Sequence, residues 1–317
     1  MQRSSEVKHE AIRISEIIAQ NKQKKNVSNL FEKVIPTILF LLASITILTT
    51  LGILYTLLSQ AIQFFRTVPI WEFFTGTVLK PLSQNSEFGI LPLINGTLIS
   101  TIIAMLVAGP IGLMSAIYLS EYASEKVRRV LKPLLEILAG IPTIVYGFFA
   151  FTFVTPLIRS IFPEVGATNI LSPGLVMGVM IIPMIASLSE DAMTSVPNAM
   201  REGSLAMGAT KLETTIKVVI PAAFSGIIAS FVLGISRAIG ETMIVTIASG
   251  SSKNFTFDIT ESMQTMTAYI VEVAGGEAAA GTTIYYSLYA VAITLFVFTL
   301  VMNLLARYIS RKFREEY

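Results

Sequence analysis

Arg237 and Glu241 are the two residues of this chain whose types and placement most invite chemistry. They directly follow the uncharged run 218–236 and are four apart, so on a helix they lie one turn from each other on one face. An arginine so placed in lipid costs about 2.5–3.5 kcal/mol on insertion scales, which calls for a partner or a wet path. Two readings stay open. Arg237 and Glu241 form a neutralised pair that braces a helix bundle, or Arg237 offers its planar fork of donors to the oxygens of an anion. In the second reading Glu241 balances the charge of an empty site, accepts a proton-bearing oxygen and keeps the anion from binding too tightly to leave. The hydroxyls of Ser236 and Thr242 flank the pair as weaker candidates.

The elements that must position these residues follow from composition. Of 317 residues, 53% are hydrophobic and 14% charged, against about 25% charged in soluble domains. Mean hydropathy is +0.69. The uncharged runs 34–65, 88–120, 137–158, 165–189, 218–236 and 278–306 each reach the roughly 18–20 residues that a helix needs to cross hydrocarbon. Lipid leaves no backbone group unpaired, so the expected fold is all-α and polytopic, with six transmembrane helices. From Val219, taken as a boundary, Arg237 lies about 27 Å along a straight helix. That places it beyond the bilayer middle unless Gly234 or Gly240 bends the segment.

Lysine and arginine placement sets the orientation. Eighteen of the 23 fall in residues 1–33, 121–132 and 189–217 and after Ala306, whereas Arg66, Lys80, Arg159 and Lys253 fall in the alternate loops. Both termini are therefore expected in the cytoplasm. The expected organisation is a cytoplasmic tail, 1–33, a six-helix domain, 34–308, with a cytoplasmic loop at 189–217, and a second tail, 309–317. The first tail is a solvated segment or a short amphipathic helix around Ile12, Ile14, Ile17 and Ile18, and its polarity fits no secretory signal.

Several function classes drop out. The chain has no cysteine, which excludes disulfides, thiolate metal sites and cysteine nucleophiles. Its lone His9 offers no metal or catalytic site. A net charge of +2 follows from the orientation bias and gives no reason to expect nucleic acid. An intramembrane enzyme would need paired catalytic groups in the spans, and these hold no histidine. Glu136, four residues after Lys132, reads as a surface residue. Gly109-Pro110 with Gly112, Gly140-Ile-Pro142 with Gly147, and Pro173-Gly174 with Gly178 read as kinks and tight packing or as part of a substrate path. Segment 66–87, with Phe64, Phe65, Trp71, Phe73 and Phe74 in and beside it, suits an interfacial aromatic belt. Segment 249–282 reads as a flexible loop or a short helix.

A polar insert, "EGSLAMGATKLETTIKVVIP" at 202–221, stands out between the greasy runs. It reads as helix, turn and helix. Ser195 caps the first helix, with Pro197 in its first turn. Gly208 sits where a left-handed C-terminal cap is wanted. Thr210 and Glu213 have the capping-box spacing. Such a connection costs ordering entropy unless something docks on it.

Glu202-Gly203-Ser204, three residues, Gly208, nine residues and Val218-x-Ile220-Pro221 resemble the EAA loop of ABC importer permeases. The family pattern is Glu-Ala-Ala, three residues, Gly, nine residues, Ile-x-Leu-Pro. Spacing matches throughout, with Gly203 and Ser204 in place of the alanines. Beyond about Val34, "FGILPLINGTL", "GIPTIVYGFF", "GATKLETTIKVVIPAA" and "SRAIGETMIV" resemble the PstC-type permeases of phosphate importers. A sister permease shares the Gly-Ile-Pro and Arg-Ala-x-Gly-Glu patterns. "GETMIV" and "MTAYIVEVAGG" favour the PstC side.

The resemblance implies a type I ABC importer permease fold and a multi-pass place in a bacterial or archaeal inner membrane. It implies a loop at Glu202, Gly203, Ser204, Gly208 and Thr210 that docks on an ATPase, and phosphate passage at the Arg237/Glu241 motif. The implied partners are a second homologous permease, an ATP-binding cassette ATPase dimer, an outer-side phosphate-binding protein and membrane lipid. The chain has no G-x-x-x-x-G-K-[ST] phosphate loop, so no cofactor is expected on it, and ATP and Mg belong to the partner. The alternatives are the sister permease, a permease for another oxyanion, an ion-coupled secondary transporter and a membrane sensor.

Overall fold

The computed structural model describes the backbone of residues 2–83 and 85–312, and side chains from Val34 on except Glu277, Ala306 and residues 309–312. Two compact units, Met1–Leu57 and Leu58–Tyr317, divide the chain. Helix α1, Gln2–Thr67, is continuous. Its side chains from Val34 to Leu57 are almost all exposed, and they carry an apolar run long enough to cross a membrane. The amphipathic face expected around Ile12–Ile18 lies outside the described side chains, as does His9.

The second unit opens with α2, Ile70–Thr75, and a small antiparallel hairpin of β1, Leu79–Lys80, and β2, Glu87–Phe88, with Leu79 opposite Phe88. Here the aromatic segment departs from a simple belt. Phe64 and Phe73 are buried and meet edge to face with ring centres 5.4 Å apart, while Trp71 and Phe74 stay exposed. Edge-to-face rings stabilise one another beyond the area they bury, which holds the hairpin on the bundle.

Then follow α3, Leu91–Tyr122, α4, Glu125–Gly140, α5, Thr143–Ile161, α6, Leu171–Thr194, α7, Asn198–Ala206, and α8, Lys211–Ala222. The chain continues through α9, Phe224–Ile239, α10, Met243–Ala248, α11, Met266–Glu272, and α12, Thr283–Lys312. Among the described residues, five helices are long and apolar enough to cross a membrane, or six if α8 and α9 count as one span bent by 71°. The bend falls just after Pro221, which has no amide hydrogen to continue the ladder.

Two expected boundaries move. The run 137–158 is split by Ile141-Pro142, whose extended backbone ends α4, because a residue before proline is pushed out of the helical region. Residues 137–140 therefore finish an amphipathic helix, and the span starts at Thr143. Segment 249–282 contains α11, capped by the Thr265 hydroxyl accepting from the Ala268 amide at 3.2 Å, so the short-helix alternative holds there.

The core lies where α6 packs on α3, α9 and α10, through Ala104, Ala108, Met177, Ile181, Ile185 and Ile244. The small residues of the spans serve this packing. A Cβ on Gly178 would lie 2.7 Å from Val107 Cβ and 2.9 Å from the Ala104 carbonyl, closer than real side chains approach. Tight packing is thus what Gly112, Gly174 and Gly178 provide, since α3 and α6 could not approach so closely with alanine there.

Candidate functional sites

The first site is the connection from α6 to α8. Ser195 does not cap α7. It ends α6, donating its hydroxyl to the Ala192 carbonyl at 2.7 Å. Pro197, in extended conformation, precedes α7, and no side chain caps that helix. Proline fits there because the first amides of a helix have no intrahelical acceptor. Gly208 has φ +90° and open space around it. Glycine is needed there for its backbone angle, since L-residues with a Cβ resist the left-handed region.

At Thr210 the capping box forms as its spacing predicts. The Glu213 amide donates to the Thr210 hydroxyl at 3.2 Å, and the Thr210 amide donates to the Glu213 carboxylate at 3.0 Å. Glu202, Gly203, Gly208 and Thr210 are exposed, and Ser204 is half-buried, with its hydroxyl 2.9 Å from that of Thr214. Met207 is 89% exposed and Leu205 also faces outward. The result is a short helix, ended by the left-handed Gly208 just ahead of a capped α8, that presents a small, partly apolar face.

The second site is the break between α9 and α10, where Arg237 and Glu241 are not the pair that their spacing suggests. Helix α9 stops at Ile239, so Glu241 lies beyond it. Its buried carboxylate accepts from the amides of Met243 at 3.1 Å and Ile244 at 3.4 Å, the first amides of α10. Its backbone carbonyl accepts from the Thr267 hydroxyl at 2.7 Å. Orphan amides at a helix start favour a carboxylate by hydrogen bonding and by the helix dipole, and this competes successfully with Arg237.

Arg237 is exposed. Among the described residues its polar contact is Met180 Sδ at 3.8 Å, and no carboxylate pairs with it. The Ser236 hydroxyl donates to Asn303 on α12 at 3.0 Å, which ties α9 to that helix. The Thr242 hydroxyl bonds the nearby Gly240 carbonyl at 3.3 Å. Both flanking hydroxyls thus have partners within the chain.

Three charge clusters escape sequence reasoning. Fully buried Glu190, near the end of α6, accepts from Arg128 and from Lys132 at 2.8 Å, while Lys132 also reaches Asp191 at 3.2 Å. The hydrogen bond to Glu190 holds the Lys132 ammonium above its ordinary pKa, against a smaller opposing effect of burial. Lys132 therefore turns away from Glu136, which is exposed as expected. Glu121, at the end of α3, pairs with Arg201 of α7 at 2.9 Å. Lys253 pairs with Glu272 of α11 at 2.6 Å, and Gln264 donates to the same carboxylate. The partners lie 62, 58, 80 and 19 residues apart, beyond any local spacing rule. Beside α7 a cavity of about 550 Å³ is lined by Glu121, Arg128, Asn198, Arg201, Lys211 and Thr214, among others.

Residues 108–315 match the family model of the binding-protein-dependent transport system inner membrane component. The probable ABC transporter permease protein YqgH of Bacillus subtilis is 32% identical over 308 residues, covering 96% of this chain and 97% of that protein. The phosphate transport system permease protein PstC of Mesorhizobium japonicum is 33% identical over 257 residues, covering 75% and 77%. Among solved structures, a bacterial alginate ABC transporter in complex with its alginate-bound periplasmic protein aligns with a TM-score of 0.62 at 17% identity, covering 87% of this chain and 94% of that one.

Membrane-length helices and the likeness to a solved ABC transporter make this the ABC importer permease fold. The chain belongs to the family of binding-protein-dependent transport system inner membrane components.

Proposed function

We propose that this chain is the PstC-type membrane permease subunit of an ATP-driven phosphate importer and that Arg237 contacts phosphate on its way through. The observation that carries the site is the exposed Arg237 guanidinium, on an apolar helix and without a carboxylate partner among the described residues. A cation so placed is costly unless it faces a wet path or a group from outside the chain. A planar fork of donors suits phosphate oxygens. The curated relatives named as phosphate permeases support the choice of anion.

In this reading the chain sits in an inner membrane with both termini on the cytoplasmic side and contacts lipid along its apolar helices. It builds half of a translocation path with a second, homologous permease. The exposed face of α7 and Gly208, with Glu202, Gly203 and Ser204, takes the push of a separate ATP-binding cassette dimer. ATP and Mg²⁺ stay on that partner, and this chain holds no cofactor. An outer-side binding protein delivers phosphate. Glu241 serves the site by shaping the break that ends α9 just past Arg237, and its remaining carboxylate lone pairs are available to a proton-bearing phosphate oxygen.

The test is phosphate uptake per assembled complex in vesicles that contain ATPase, binding protein and both permeases. Arg237→Lys should assemble and transport poorly, because one ammonium does not replace the fork. Arg237→Gln with Glu241→Gln should also assemble, since glutamine keeps an acceptor for α10, and uptake should be lost. Normal uptake by that double variant would remove Arg237 from the path.

A further inference from the structure

Arg201 comes directly before Glu202 on α7, yet it points away from the exposed face. Its side chain is 17% exposed and that of Glu121 is 7% exposed. All five guanidinium N–H groups find acceptors. Nε faces both Glu121 carboxylate oxygens at 3.3 and 3.4 Å, and Nη2 donates to Glu121 Oε1 at 2.9 Å and to the Met193 carbonyl at 2.7 Å. Nη1 donates to the Val196 carbonyl at 2.5 Å and to Asn198 Oδ1 at 3.4 Å. One side chain thus joins three pieces: α7 itself, the carbonyl-rich end of α6, where the helix dipole favours a cation, and the last turn of α3.

The mechanical setting gives this contact its meaning. Helices α3 and α6 meet glycine against side chain at Gly112, Gly174 and Gly178, and such close packing moves as one body. Between α6 and α7 lies only the turn at Ser195, Val196 and Pro197. Left to itself, that turn could absorb a displacement of α7 by changing a few backbone angles, as hinges do. Arg201 spans it, bonding carbonyls on its near side and Glu121 beyond. The second tie of α7, between the Ser204 and Thr214 hydroxyls, leads instead to α8.

We infer that Arg201 is a positioning residue that locks α7 to the α3–α6 body, so that a push on α7 moves membrane helices instead of bending the 195–197 turn. This rests on the reading of α7 as the ATPase handle. Without the lock, the ATPase still docks and hydrolyses ATP, while the movement is lost in the turn.

The experiment measures ATP hydrolysed per phosphate imported by the reconstituted complex carrying Arg201→Lys or Glu121→Gln. Lysine keeps the charge but has fewer donors and no fork, and glutamine keeps the shape of Glu121 without its charge. Both variants should assemble with the ATPase, and phosphate moved per ATP should fall roughly tenfold, within the usual range of coupling effects. A residue needed only for folding would reduce the amount of complex and leave the ratio alone. An unchanged ratio in the assembled variants, or loss of the complex in both, would overturn the inference. The wild-type complex separates the two readings: if it imports no phosphate on ATP, the handle assignment itself fails and Arg201 is not the cause.

Discussion

The connection from α7 to α8 and the break from α9 to α10 solve the same problem with similar residues, and only one of them looks on paper as it looks in space. Each ends a helix at a glycine and starts the next with help from a glutamate. At Thr210 and Glu213 the capping hydrogen bonds join residues three apart, and the surroundings of Gly208 are open. At Gly240 and Glu241 the acid is buried, its amides belong to Met243 and Ile244, and its carbonyl is held by Thr267 of α11. The capping box is self-contained. The break takes an acid that helical spacing assigns to Arg237 and spends it on backbone, which leaves the guanidinium without a carboxylate partner among the described residues.

The largest effect should come from a third acid, Glu190, which marks the limit of the comparison because its partners are cations from another helix. Arg128→Met with Lys132→Met would leave it buried without a counter-charge, at a cost of about 3–5 kcal/mol. Thermal unfolding of the purified permease should show a large drop, and a wild-type melting profile would mean that Glu190 does not depend on these cations. Next comes Glu241→Ala, which bares amides at the start of α10 and should cost about 1–3 kcal/mol. Glu241→Gln should cost much less. Equal losses for the two would return Glu241 to the role of a charge partner.

Gly208→Val forces a β-branched residue into the left-handed region and should cost about 1–2 kcal/mol. Because that strain sits on the face proposed to dock the ATPase, co-purification of the ATPase should fall with it, and undiminished capture would sink the handle reading at this residue. Thr210→Ala removes one side of the capping box, for about 1 kcal/mol, visible as a modest shift in melting. The smallest effect on stability is expected for Arg237→Gln, within about 0.5 kcal/mol as for ordinary exposed positions. A loss as large as that of Glu241→Ala would restore the neutralised brace.

The same contrast explains what could be read in advance. The capping box, the left-handed Gly208 and the apolar runs rest on interactions within a few residues, so spacing was enough. Ser195 misled because a serine before a helix and a serine ending one have the same composition, and the turn between α6 and α7 decides which it is. Phe64 and Phe73 read as belt residues because burial against Phe88 depends on a hairpin that folds back over them. The pairing of Arg237 with Glu241 failed for a related reason. It assumed a helix through Gly240, and the contact from Thr267 helps hold the chain in another course.

By itself the sequence determined that this is a chain of membrane-crossing helices, where its polar insert lies and how that insert is capped. Those properties depend on hydrophobic length and on bonds between near neighbours, which lipid and the backbone enforce whatever the rest of the chain does. Only the tertiary structure decided which charges meet. Glu190 goes to Arg128 and Lys132, Arg201 to Glu121, Glu241 to backbone amides and Arg237 to none of the described acids. A charge buried in a bundle takes the partner that packing brings within about 4 Å, and in the first two of these pairings that partner comes from a helix remote in sequence.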